Sequence, residues 1–121
     1  MYPLESVEYR VLRECVHREP LFVLFWLVDP EDSTEVQKLL EVLEHLAREG
    51  FLEGRRGTRS IGVVSATELM LWVSTRREAG EKLREVPGIA LAEGGVGDVD
   101  YDFCTTSAGL ALLAEEDRQG E

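Results

Sequence analysis

The sequence predicts an α+β chain with about four to five helices and a small antiparallel β-hairpin or sheet. Three observations carry this expectation. Apolar residues recur at three-to-four spacing in several stretches, as they do along the buried face of a helix. One late stretch, Val99 to Phe103, alternates apolar and acidic side chains, as a half-buried strand does. Glycine- or proline-bearing breaks separate these stretches. A chain of 121 residues can bury one core unaided, so residues 1–121 are expected to form a single domain.

The first helix is expected over about 4–18, where Leu4, Val7, Val11, Leu12, Cys15 and Val16 share one face. Pro20 ends it and suits the first turn of whatever follows. The run LFVLFWLV at 21–28 is apolar on every side, so periodicity cannot separate helix from strand; its length and aromatic content favour a strand. Asp29-Pro30 breaks the chain. Asp32 or Ser33 then caps a helix, with Glu35 placed for a capping box and Val36, Leu39, Leu40, Leu43, Leu46 and Ala47 as its apolar stripe. Gly50 stands where a left-handed cap is expected.

Phe51 and Leu52 open an extended piece that runs into the loop GRRGTR, and 60–65 (SIGVVS) reads as a strand. Ser65 and Glu68 make a second capping box. It opens a helix through Val86 with Leu69, Trp72, Val73, Ala79, Leu83 and Val86 on one face, ended by Pro87-Gly88. GIALAE and VDYDFC then read as strands joined by the turn GGVGD. A last helix is expected over about 107–117, with Leu110, Leu112 and Leu113.

Two stretches carry a family resemblance. LEVLEHLAREGFLE, through Leu43, Leu46, Gly50, Phe51 and Leu52, is similar to the end of the recognition helix in the winged-helix superfamily, particularly MarR-type and PadR-type regulators. TSAGLALL, through Thr106, Gly109, Leu112 and Leu113, is similar to the segment that follows the wing there. The likeness spans about half the chain and rests on capping and core residues. It implies a winged-helix-like fold in which 21–28 is a short helix between two others. The sequence departs from that pattern by what looks like a strand and a whole helix inserted between recognition helix and wing. The aromatic strand also lies two residues further from the threonine than usual.

Charge bears on function more than any motif does. The net charge is −11, and it is unevenly spread. Residues 1–54 hold twelve acidic and five basic side chains, residues 55–84 three and seven, and residues 85–121 nine and one. Such a chain repels nucleic acid at long range and can meet it only through a local basic face. The helix leading to Gly50 itself contains Glu35, Glu41, Glu44 and Glu49.

In a helix-turn-helix reading, Thr34, Gln37 and Lys38 are the side chains placed to meet bases or phosphates, with Glu35 and Glu41 beside them. Arg55, Arg56 and Arg59 form the densest basic cluster and suit phosphate contact, with Arg76 and Arg77 adding charge on the inserted helix. Each set has a plainer reading, as a solvated helix face and as surface arginines among carboxylates. Asp98, Asp100 and Asp102 lie ~7 Å apart along one strand face, too far to converge on one ion, so no metal site is expected. GGVGD lacks the lysine and following helix of a phosphate loop. His17 and His45 have no catalytic or ligating neighbours in sequence. Cys15 and Cys104 are expected as reduced core thiols.

No catalytic set, cofactor motif, signal peptide or membrane-spanning run is legible, which points to a non-enzymatic, cytoplasmic protein. Two functions remain open. One is a winged-helix DNA-binding transcriptional regulator, expected to be a homodimer. The other is a protein-protein interaction module on the same scaffold, using its acidic surface to engage a basic protein partner.

Overall fold

A computed structural model describes residues 6–56, 59–85 and 101–119. In chain order these form α1 (Val7–Glu14), a 3-10 turn (Cys15–His17) and β1 (Glu19–Pro20). There follow α2 (Leu21–Leu24) with a 3-10 turn (Phe25–Leu27), and α3 (Ser33–Arg48). The hairpin strands β2 (Leu52–Arg56) and β3 (Arg59–Gly62) lead to α4 (Ala66–Glu78). Then come β4 (Tyr101–Thr105) and α5 (Ser107–Gln119). The class is α+β. The four strands form one antiparallel sheet in the order β1-β4-β2-β3. No described helix is long and apolar enough to cross a membrane.

α3 is the central helix, and its ends follow from local chemistry. Asp32 accepts from the backbone N–H groups of Thr34 and Glu35. The N–H of Asp32 is taken by the carbonyl of Asp29, so only half of a capping box forms. At the other end Phe51 N–H bonds Leu46 O and Gly50 N–H bonds Ala47 O, a Schellman closure with Gly50 at φ 82°. Between these caps Val36, Leu39, Leu40, Leu43 and Leu46 are fully buried. They meet Val11, Leu12, Leu21, Leu24 and Phe25 from the amino-terminal helices, Leu69 and Val73 from α4, and Tyr101 and Phe103 from β4.

Several boundaries differ from the sequence expectation. The first helix is Val7–Glu14 followed by the tighter turn, and Leu4 lies outside the described residues. Residues 21–27 are helical, as the family resemblance implied. The arginines of GRRGTR do not sit on an open loop. Arg55 and Arg56 end β2 and Arg59 begins β3, and the strand expected at 60–65 is Arg59–Gly62.

α4 ends at Glu78, well short of Val86. Glu81 N–H bonds Arg76 O and Gly80 N–H bonds Arg77 O, with Gly80 at φ 76°, closing α4 as α3 is closed. Ala79 is exposed, and Leu83 reaches the core from the segment beyond. Phe51 and Trp72, expected in the core, are half-buried, with Trp72 stacked on Phe25 at 6.1 Å. The GIALAE strand, the GGVGD turn, Val86, Asp98 and Asp100 fall outside the described residues. Tyr101 and Phe103 point inward and Asp102 outward, as the alternation requires.

The two stretches that carry the family likeness meet in space. The Thr106 hydroxyl donates to Gly50 O at 2.5 Å, and Thr106 N–H bonds Phe51 O at 3.0 Å. The same hydroxyl accepts from Gly109 N–H, so Thr106 caps α5 while fastening it to the end of α3. A Cβ at Gly109 would collide with Phe51 O and with the Thr105 methyl, which is why this position has no side chain.

Candidate nucleic-acid interface

The buried arc of α3 leaves one outward stripe, formed by Thr34, Gln37, Lys38, Glu41, His45 and Arg48 at three-to-four spacing, all exposed. Thr34, Gln37 and Lys38 therefore share this one exposed face. Gln37 is engaged along the helix, its Nε2 donating to Glu41 Oε1 at 3.1 Å. Arg48 pairs with Glu44 at 3.1 Å. Lys38 is the cation within the amino-terminal half of the stripe itself.

The three hairpin arginines have different surroundings. Arg55 is half-buried on the outer sheet face, directly across from Asp102, whose Oδ2 also takes Arg18 at 3.0 Å. Opposite charges at facing positions attract, so Arg55 is balanced within the sheet. Arg56 is exposed, with its guanidinium 5.3 Å from the centre of the Tyr101 ring. The Tyr101 hydroxyl in turn donates to Glu68 Oε2 at 3.3 Å. Arg59 is exposed and faces Arg56 across the hairpin. Two like charges at facing positions disfavour the bare hairpin, and an anion placed between them removes that cost.

Arg76 is not available to a phosphate. It is 4% exposed, and its guanidinium donates to the carbonyls of Leu83, Lys82 and Glu85 at 3.1, 2.6 and 2.7 Å. It also lies 4.8 Å from the Trp72 ring centre, so its charge folds residues 81–85 back onto α4. Arg77 remains exposed, bonding Pro30 O at 3.0 Å.

These contacts fix the direction of α4. Its first N–H, at Ala66, bonds Glu44 Oε1 at 2.6 Å, while its last turn reaches Pro30, just before α3 begins. α4 therefore runs antiparallel to α3 along one flank. The sequence concealed this, because both partners of α4 lie far earlier in the chain, Glu44 in α3 and Pro30 in the turn before it, and neither position signals a later helix. Beyond α4, Arg84 bonds the carbonyls of Phe25 and Val28 and stacks on Trp26 at 4.5 Å. Trp26, Pro30, Glu31, Arg77, Lys82 and Glu85 are among the residues that line an open cavity of about 590 Å³ there.

Among the described residues no group of three or more acidic, histidine or cysteine side chains is placed to hold a metal ion. His17 and His45 are exposed. Cys15 is buried and Cys104 half-buried, both as free thiols, and burial pushes the Cys15 thiol well above its usual range. No protein-family model matches the sequence, and neither a curated protein nor a solved structure matches it.

Proposed function

We propose that this chain is a DNA-binding transcriptional regulator on a winged-helix scaffold, using the outward stripe of α3 and the β2–β3 hairpin. The observation that carries the reading is the pair Arg56 and Arg59, exposed and facing each other, with Arg56 held over the ring of Tyr101. Such a pair suits a phosphate oxygen between two guanidinium groups. The element order supports it. β1 falls between α1 and α2, and β4 pairs with both β1 and β2, while β3 and α4 form an excursion between β2 and β4. Thr34, Gln37 and Lys38 then lie toward base edges and backbone at the amino-terminal end of α3. A homodimer belongs to this reading, with the exposed apolar side chains Leu71 on α4 and Leu110 on α5 as its candidate contacts.

A second reading is favoured by one contact. Gln37 is bonded to Glu41, and Glu31, Asp32, Glu35 and Glu41 crowd the start of α3, a surface suited to a basic protein partner. Titration of labelled duplex DNA at low and moderate salt separates the two. Under the DNA reading, Arg56→Gln with Arg59→Gln abolishes binding, Arg55→Gln weakens it less because Asp102 faces Arg55, and Glu41→Gln strengthens non-specific binding. Absence of binding to any duplex at low salt would leave the interaction module. Sedimentation at micromolar concentration reads the dimer in the same samples.

A further inference from the structure

We infer that Gln37 reads an adenine in the major groove, and that Glu41 is the positioning residue that holds its amide for that contact. This deepens the DNA-binding reading and rests on it.

On the amino-terminal half of the outward stripe, only Gln37 carries an acceptor and donors in one planar group. Lys38 only donates, Glu41 only accepts, and Thr34 does either through a single hydroxyl. The major-groove edges of the bases sort in the same terms. Adenine alone sets an acceptor, N7, beside a donor, the N6 amino group. Guanine shows two acceptors, cytosine an amino donor, and thymine an acceptor beside a methyl group. An amide that accepts with its oxygen and donates with one N–H therefore meets adenine at two points and any other base at one.

That match requires the amide to face one way round, and the last torsion of an exposed glutamine is broad and roughly two-fold. Glu41, one turn later on the same face, removes the ambiguity. Its carboxylate has no proton to give, so only the nitrogen of Gln37 can meet it, as it does at 3.1 Å. One of the two N–H groups is used there. The oxygen and the other N–H make no bond among the described residues, and the side chain is exposed. A glutamate on this face repels phosphate, so Glu41 lowers affinity for every duplex while sharpening the choice among bases.

Selection of bound duplexes from a random-sequence pool, followed by sequencing, gives the site that the intact protein prefers. One position should favour adenine by about 5- to 150-fold, and Gln37→Ala should erase that preference while leaving the others. Replacing that adenine with 7-deazaadenine keeps the base pair but removes N7. It should weaken binding by the intact protein and leave the Gln37→Ala protein unaffected. Glu41→Gln keeps the shape but can offer its own amide to Gln37 either way round. It should raise affinity for random duplex and cut the adenine preference by about two-fold. Both residues are exposed, so these changes leave the core untouched. If Gln37→Ala leaves every base preference in place, or erases a preference for another base, the adenine contact is overturned while binding through Arg56 and Arg59 stands. An adenine preference unchanged by Glu41→Gln overturns the positioning role. No binding of any duplex by the intact protein removes the inference together with the reading beneath it.

Discussion

Replacing Gly109 with alanine should destabilise this protein, although alanine is the better helix former by about 1 kcal/mol. Gly109 lies in the first turn of α5, close above the end of α3. A methyl group there would sit inside contact distance of Phe51 O and 2.5 Å from Thr105 Cγ2. Neither obstacle is the far end of a flexible side chain. Phe51 O is backbone and accepts from Thr106 N–H, while the Thr105 hydroxyl is tied to Leu12 O at 2.7 Å. Overpacking of this kind costs about 1–3 kcal/mol, and weakening the Phe51–Thr106 bond adds about 1 kcal/mol. After subtracting the gain in helix propensity, a net loss of about 1–3 kcal/mol is expected. Denaturant melts followed by circular dichroism measure it as a lower midpoint at unchanged slope. Ala108→Gly, at the exposed neighbouring position, is the control and should cost under about 1 kcal/mol. A Gly109→Ala protein as stable as the parent would show that α5 does not approach Phe51 this closely.

Leu43→Ala removes a side chain with no exposed surface and should cost about 2–5 kcal/mol in the same melts; a loss under about 1 kcal/mol would mean that α3 presents another face to the core. A thiol reagent should label Cys104 in the native protein and reach Cys15 only after unfolding, and equal rates at both would contradict the buried placement of Cys15. Burial raises the Cys15 pKa above its usual 9.0, so the folded protein keeps a proton that the unfolded chain releases. That contribution is fully present below about pH 9 and is lost above it, so the denaturant midpoint should fall from pH 8 to pH 10, and Cys15→Val should flatten the fall.

How much of this was legible in the sequence depended on the range of the determining contact. α3 was readable from end to end because its stripe, its Asp32 cap and its Gly50 closure are local. The end of α4 was missed for an instructive reason. Leu83 continues the apolar spacing of Leu69 and Val73, so the pattern concealed the break that Gly80 makes at positive φ. Arg76 sits on that same inward face, and an arginine at a core-facing position was the available clue that it serves the backbone rather than solvent. The hairpin arginines were found as a cluster, but their sorting by strand alternation and by Asp102 and Tyr101 needed the pairing register. Glu44 carries no local sign that it caps a helix starting 22 residues later.

The position of β4 between β1 and β2 has a consequence for how the chain is made. Synthesis delivers α1 through α4 before Tyr101–Thr105 emerges, yet Glu19 and Gly54 both wait for Phe103 as their partner. Helix contacts within the early segment can form quickly, whereas the sheet cannot close until a distant stretch arrives, which slows folding relative to an all-helical chain of equal length. In that interval β2 has β3 on one side and an open edge on the other, above apolar side chains that have no cover. β1 is less exposed to mispairing, because it is two residues long and Pro20 offers no N–H. The vulnerable species is therefore the nascent chain ending before Tyr101, whose unpaired Leu52–Arg56 edge is the surface that a chaperone or another unfinished chain would meet first.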